Sequence, residues 1–436
     1  MPYTIPQPTP TDGDTSWFVR DRFGMFIHWG LYALSARHEW VKTREMMTDA
    51  HYDRYFKHFD PDLYDPTLWA EAAANAGMRY FVVTTKHHEG FCLWDTDQTD
   101  YKSMNTPARR DLLAPMVDAF RARDLKIGFY HSLLDWHHPD YSTDQHHPRR
   151  EDADFIAGDK DRDPARYAAY LREQTRELLT RFGKIDILWY DFSVAQTEKF
   201  SGKGKEAWDS ENLLRLVREL QPHIIVNDRL QIDQDVKTPE QYQPREWLHI
   251  QGRPVVWEAC QTFSGSWGYY RDEESWKSLD VLIKMLVDTV SKGGNLLLNV
   301  GPTGRGEFDE RALDRLQGMG EWMKRHNRSI YGCTQAPQEF GPAPQDCRYT
   351  FNPDTNRLYL HIFSWPFKHL HLDGMGDRIE YAQLLNDASE VRMRTTIPEM
   401  ANGGVNADTI PAKTLTLELP IKKPNVTVPV VELFLK

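Results

Sequence analysis

The chain has 436 residues, 40% hydrophobic and 27% charged, the balance of a soluble globular protein with a sizeable core rather than of a disordered chain. Its net charge of −11 argues against nucleic acid or an anionic membrane as partner, since both need basic surface, and favours a neutral or polar substrate. The length suits one α/β barrel of roughly 250 or more residues with a smaller domain beside it.

Cys92, Cys260, Cys333 and Cys347 are widely spaced and form no C-x-x-C pair. They read as free buried thiols in a reducing compartment. The opening Met1-Pro2-Tyr3-Thr4-Ile5-Pro6 has neither the basic nor the apolar region of a signal peptide, and no run reaches the roughly 18 apolar residues of a membrane span. The expected location is the cytoplasm.

Residues 1–15, rich in Pro, Thr and Asp, are expected to run over the surface as an extended arm. Phe23-Gly24-Met25-Phe26-Ile27-His28-Trp29-Gly30 predicts a first strand that delivers His28 to its end, with Glu39 and Trp40 on the loop beyond. Asp65 to Ala76 carries Leu68, Trp69, Ala72, Ala73 and Ala76 at helical spacing, opens on an Asp-Pro start and stops at Gly77. Tyr80 to Thr85 is a β-branched strand that ends in Lys86-His87-His88-Glu89-Gly90-Phe91. A helix over Asp111–Arg123, a strand over Lys126–Ser132 with Tyr130 and His131 near its end, and a helix over Ala165–Phe182 follow.

Ile185 to Phe192 is a short apolar run after the turn at Gly183 and Lys184. It suits a strand buried on both faces, with Asp191 at its C-terminal end. A lone Asp there is most often a cap or turn residue; in a (β/α)8 barrel the same end faces the active site. Next come a helix over Ser210–Leu220, a strand over His223–Arg229, a strand over Pro254–Glu258, a helix over Ser275–Lys292 and a strand over Asn295–Pro302.

This alternation argues for right-handed βαβ units in a parallel sheet. Seven strands are evident, and closure into a (β/α)8-like TIM barrel assumes an eighth. A doubly wound open sheet is the alternative, but no G-x-G-x-x-G follows the first strand. After the helix Asp309–Asn327, short alternating runs at 357–363, 370–372, 415–419 and 428–435 predict a C-terminal antiparallel β-sandwich. The expected domains are a catalytic barrel over 1–334 and a sandwich over 335–436.

In a barrel, His28, His87, His88, His131, Asp191, Arg229 and Glu258 meet at one mouth. A metal centre is not expected, because adjacent His87 and His88 would face opposite sides of a regular strand, and His369-Leu370-His371 falls in the sandwich. Two carboxylates, hydrogen-bonding side chains and aromatic faces are instead what a glycosidase needs. A carbohydrate-binding protein with the same pocket and no turnover is the reading from another class.

Phe23 to Gly30, Thr84 to Phe91, Leu188-Trp189-Tyr190-Asp191, Val226-Asn227-Asp228-Arg229, Trp257-Glu258, Ser266-Trp267-Gly268-Tyr269 and Gly294 to Pro302 together resemble glycoside hydrolase family 29, the retaining α-L-fucosidases. The resemblance runs in order from about residue 17 to 335 and continues into Leu358–His361 and Ser364–Pro366. It implies an exo-glycosidase that removes terminal α-L-fucose from fucosylated glycans without a cofactor. Asp191 would be the nucleophile, and His28, Glu39, Trp40, His87, His88 and Arg229 would hold the sugar, with Tyr130 or His131 completing the pocket. Trp257 and Phe91 would face the C6 methyl. The acid/base is expected at Glu240, or else at Glu258. The family's nucleophile sits in Trp-x-Asp-Gly, whereas Phe192 stands here in place of the Gly. A glycosidase for another sugar remains the closest alternative. Self-association is left open, as is whether Trp136–His147 covers the mouth or meets a neighbouring subunit.

Overall fold

The computed structural model describes residues 3–395, 411 and 413–436. Seven strands, β1 (Phe23–Ile27), β2 (Tyr80–Lys86), β3 (Lys126–Ser132), β4 (Ile187–Asp191), β5 (Ile225–Val226), β6 (Glu258–Thr262) and β7 (Asn295–Val300), form one curled sheet in the order β5-β4-β3-β2-β1-β7-β6. Every pairing in it is parallel. The strands are almost continuously buried, as they must be when helices cover one face and the sheet curls over the other. Side chains alternate accordingly. Phe26, Tyr80, Val82, Tyr130, Ile187, Trp189, Cys260 and Leu297 pack together inside the curl, while Met25, Phe81, Ile127, Phe129, Leu188 and Leu298 meet the outer helices.

The helices begin where their caps dictate. α1 (Pro66–Asn75) starts with Asp65 accepting from Thr67 N and proline at its first turn. α2 (Leu113–Arg121) follows Asp111, whose carboxylate accepts from Leu113 N and Ala114 N. α3 (Pro164–Arg181) is capped by Asp163, α5 (Leu279–Val290) by Ser278 and α6 (Glu310–His326) by Asp309; α4 (Ser210–Leu220) lies between α3 and α5. Each such side-chain cap satisfies an otherwise orphaned backbone N–H and contributes about 1 kcal/mol. Of the expected apolar positions over 65–76, Trp69, Ala73 and Ala76 are buried and Ala72 is half-buried, whereas Leu68 is 61% exposed and Ala70 is buried instead.

One strand departs from expectation in a way that matters. Arg253 and Pro254 pair with His249 and Ile250 in a two-residue antiparallel hairpin, and the parallel strand begins only at Glu258. Glu258 therefore opens β6 instead of ending a strand. It lies at the N-terminal end of the sheet, beside Asn295 of β7 and away from the mouth. Between the edge strands β5 and β6 runs an irregular ribbon. Val236 bridges Asn227, Lys237 bridges Trp257 and Glu240 bridges Cys260, all in parallel sense. Glu258 N donates to Lys237 O and Gln241 N to Cys260 O.

Beyond α6, antiparallel strands β8 (Cys347–Asn352), β9 (Arg357–Ile362), β11 (Ile379–Leu384) and β14 (Val430–Leu435) form one sheet in the order β8-β9-β14-β11, and β10 (His369–Leu372), β12 (Arg392–Arg394) and β13 (Leu415–Glu418) form a second in the order β10-β13-β12. Leu358, Leu360 and Leu433 of the first share an apolar cluster with Leu372, Leu415 and Leu417 of the second. The first sheet also meets the helices of the parallel unit: Trp322 Nε1 on α6 donates to Val428 O. The described part of the N-terminal arm, from Tyr3, runs from this cluster to the N-terminal side of the curled sheet, where Asp14 N donates to His223 O. Among the described residues no helix is long and apolar enough to cross a membrane.

Candidate active site

At the C-terminal end of the curled sheet the chain assembles a narrow cavity lined by Phe26, His28, Trp40, His87, His88, Tyr130, Trp189, Asp191, Phe192, Glu240, Cys260 and Trp267. Asp191 is the last residue of β4. Its Oδ2 accepts a 2.7 Å hydrogen bond from Tyr130 Oη, and its Oδ1 lies 3.0 Å from Arg229 Nη1. The other terminal nitrogen of that guanidinium, Nη2, is 3.0 Å from Glu240 Oε2. One arginine thus spans two carboxylates, and Thr238 holds its Nε at 3.1 Å. Burial pushes the Asp191 carboxyl up to about 6; Arg229 pulls against this and Glu240 adds to it. The Glu240 side chain is 43% exposed, against 12% for Asp191, so the second carboxylate stands on the solvent side.

The imidazoles are neutral and their tautomers are fixed. Asn299 Nδ2 donates to Trp267 O at 2.6 Å, which leaves its Oδ1 to accept from His28 Nδ1 at 2.6 Å. Ser132 Oγ donates to Leu134 O and so accepts from His88 Nδ1 at 2.7 Å. Both rings therefore carry their proton on Nδ1 and present a bare Nε2 as acceptor. Burial, reinforced by neighbouring imidazoles, holds both well below the ordinary histidine value. His88 Nε2 lies 3.8 Å from Asp191 Oδ2. Burial likewise lowers His87 to about 3, and its Nδ1 lies 3.4 Å from Glu89 Oε2.

His87 and His88 both line the cavity, with ring centroids 4.0 Å apart, against the expectation that neighbours in a strand diverge. The register between β2 and β3 shifts at Thr84–Lys86 and the strand stops at Lys86, so strand parity no longer governs the two rings.

Four expected site residues, His131, Trp257, Glu258 and Phe91, do not line the cavity. Tyr130 faces the inside of the curl; His131, one residue on, faces the helices, where Thr85 Oγ1 meets its Nδ1 at 3.1 Å and Trp94 packs on it. Trp257 is wholly buried against Trp247, and its Nε1 donates to Lys292 O. Glu258 sits on the floor of the curl and accepts a 2.6 Å hydrogen bond from Tyr80 Oη; burial raises it to about 7. It is not among the residues that line the mouth. Phe91 is also in the outer core, against Phe56, Phe59 and Tyr101.

Glu39 takes a different position from the one expected. Its Oε2 accepts from Trp267 N and Gly268 N at 3.1 and 2.8 Å, and its Oε1 lies 3.0 Å from His38 Nδ1. It fixes the loop that presents Trp267. A Cβ at position 268 would stand 2.9 Å from the Tyr32 ring and 3.0 Å from Glu39 Cβ, which is why this close approach requires glycine. Trp136 and His146 pack on Trp40, so these two residues of the Trp136–His147 stretch back one wall of the mouth.

Trp267, Phe26, Trp189 and Cys260 carry no assigned role in the sequence reading. Parity was the missed signal for two of them, since Phe26 and Trp189 stand two residues before His28 and Asp191 and so share their faces.

Paired carboxylates under one guanidinium, ringed by neutral imidazole acceptors and indole faces, define a glycoside hydrolase mouth on a parallel α/β scaffold. The chain belongs to the alpha-L-fucosidase family, whose sequence profile matches residues 7–328. The plasma alpha-L-fucosidase of Rattus norvegicus is 30% identical over 381 residues, covering 80% of this chain and 78% of that one. Among solved structures, alpha-L-fucosidase isoenzyme 1 from Paenibacillus thiaminolyticus superposes with a TM-score of 0.89 at 42% identity, covering 97% of this chain and 98% of that one. A Bacteroides thetaiotaomicron alpha-L-fucosidase, trapped as a covalent intermediate with 2-fluoro-fucosyl fluoride in a glutamate-to-glutamine variant, superposes with a TM-score of 0.81 at 25% identity over all of both chains.

Proposed function

We propose that this protein removes terminal α-L-fucose from fucosylated glycans by double displacement, with Asp191 as nucleophile and Glu240 as acid/base. The observation that carries the assignment is the Arg229 guanidinium held between the two carboxylates. It keeps Asp191 and Glu240 close together, which supports the retaining mode, in which about 5–5.5 Å separates the carboxyl groups. Asp191 attacks the anomeric carbon as Glu240, turned from Arg229 toward the leaving oxygen, protonates that oxygen. Glu240 then takes a proton from the water that releases fucose. His28 and His88 accept from ring hydroxyls through Nε2, and Trp267 and Phe26 supply the apolar wall.

The scaffold belongs to the same proposal. The ribbon Val236–Gln241 stands in for an eighth strand and closes the curled sheet into a (β/α)8-like barrel over about residues 1–334. The two antiparallel sheets form a sandwich over 335–436.

The test is leaving-group dependence. Glu240→Ala should lose roughly 10²–10⁴-fold in kcat/KM on a fucosyl disaccharide, and far less on an aryl α-L-fucoside with an activated leaving group. Equal losses on both substrates would remove Glu240 from the acid role.

A further inference from the structure

Beside the mouth lies a second, open cavity of about 460 Å³, within the range of carbohydrate-sized sites. It shares Trp40 and Trp267 with the mouth, so the two indoles form the partition between them. Glu240 lines the mouth and Gln241 lines the second cavity. Gln241 adopts a left-handed φ of 48°, and this turn sets consecutive residues of the ribbon to face different compartments. A group leaving the anomeric carbon on the Glu240 side would enter this second cavity.

Its charge is unlike that of the rest of the molecule, which carries a net −11. Arg44 and Arg150 both line it. Arg44 forms no ion pair among the described residues, and its charge opposes protonation of His38 and lowers Glu39, so it acts on the groups around the cavity. Arg150 uses one nitrogen, Nη1, on the Thr43 carbonyl and hydroxyl and the His147 carbonyl, which leaves the rest of its fork unassigned. The one carboxyl group in the lining, Glu39, accepts from two backbone N–H groups, of Trp267 and Gly268, through Oε2. His146, over Trp40, is shifted toward neutrality by burial. Two guanidiniums without carboxylate partners beside a carbohydrate site are suited to an oxyanion.

We propose that this cavity is the leaving-group subsite and that Arg44 and Arg150 select fucosides whose leaving sugar carries an anionic substituent, a sulfate ester or a carboxylate. The inference rests on the fucosidase reading above and concerns the other side of the scissile bond. The bond broken is unchanged. What is added is recognition of the departing sugar.

The experiment compares kcat/KM on three fucosylated disaccharides that differ only in the leaving sugar: neutral, sulfated and carboxylated. Wild type should prefer at least one anionic substrate by about tenfold, and the preference should shrink as salt rises, since the cavity is open to solvent. Arg44→Ala should reduce the anionic-to-neutral ratio about tenfold, and Arg44→Glu should invert it. Because Arg44 is exposed, both variants are expected to fold; Arg150→Gln is the companion variant and should lower the same ratio. The arm that responds, sulfate or carboxylate, identifies the substituent. Equal rates on all three substrates, or variants that lower them all in parallel, would overturn the proposal while leaving the fucosidase reading intact. Loss of turnover on every fucoside by wild type would remove both.

Discussion

Each carboxylate of the mouth is followed by a residue in the left-handed region, Phe192 at φ 81° and Gln241 at φ 48°. For Phe192 this is a bulky side chain in a conformation that glycine adopts freely, and the backbone cost is about 1–2 kcal/mol. The chain keeps the turn of the family's Asp-Gly and replaces the hydrogen with a ring that packs on His88, His146 and Trp40 at centroid distances of 5.3, 5.0 and 5.5 Å. Glycine at this position would relieve the strain but give up the aromatic packing, and the two effects are of similar size. Phe192→Ala removes the ring and keeps the strain, whereas Phe192→Gly removes the ring and releases it. In urea denaturation the Gly variant should be the more stable of the two by about 1 kcal/mol. An Ala variant at least as stable as the Gly variant would show that the positive φ stores no strain.

At the scale of elements, the edge strand β5 has only two residues and relies on side chains for what a longer strand would satisfy. Asp235, just before the irregular ribbon, accepts from Val226 N at 2.8 Å and from Gly13 N of the arm at 2.9 Å, and pairs with Arg218 of α4 at 2.7 Å. One carboxylate thus ties strand, arm, helix and ribbon. Asp235→Ala should lower unfolding stability by about 2–4 kcal/mol, the range for a buried pair broken on one side, discounted because Arg218 is 20% exposed. A drop in stability under about 1 kcal/mol would refute that role. The ribbon also marks the limit of what the sequence displays. Helix starts were legible where Asp65 and Asp309 cap the first turn by local chemistry. The β6 start was not, because the apolar run Val255-Val256-Trp257 looks like a strand, whereas Glu258-Ala259-Cys260-Gln261-Thr262 is polar at intervals and buried only by tertiary packing. The four-residue displacement took Glu258 from the mouth to the floor. Parity on β3 would have separated Tyr130 from His131, but the direction of each face is set by the neighbouring strands.

For the molecule as a whole, burial of ionisable groups on this scale makes stability depend on pH. Among the described residues eight imidazoles are strongly depressed by burial: His38, His87 and His361 to about 3, His147 to about 2, His326 to about 4, and His28, His88 and His131 well below normal. Four carboxyls are strongly raised by burial: Asp191 to about 6, Glu39 and Glu258 to about 7 and Glu89 to about 8. The depressed imidazoles contribute stability that is present above pH 6.5 and lost as pH falls toward their folded values. The raised carboxyls contribute stability that is present at low pH and lost as pH rises through 6 to 8. At pH 5 the unfolded chain binds protons on the eight imidazoles and releases them from most of the four carboxyls, a net uptake of roughly four protons on unfolding. Imidazoles therefore win below pH 6.5, and carboxyls win only above pH 7. Calorimetry should find the highest Tm near pH 7, with a steep fall toward pH 5; a Tm that rises steadily on acidification would contradict this balance.

The assignment of Asp191 as nucleophile is tested most directly by trapping. The protein is incubated with 2-deoxy-2-fluoro-α-L-fucosyl fluoride, digested and sequenced by tandem mass spectrometry. The fluorofucosyl ester is predicted on Asp191, in the peptide that contains Trp189-Tyr190-Asp191-Phe192. An ester on Glu240 or any other carboxylate would contradict the account, as would turnover of fucosides by an enzyme that never accumulates one.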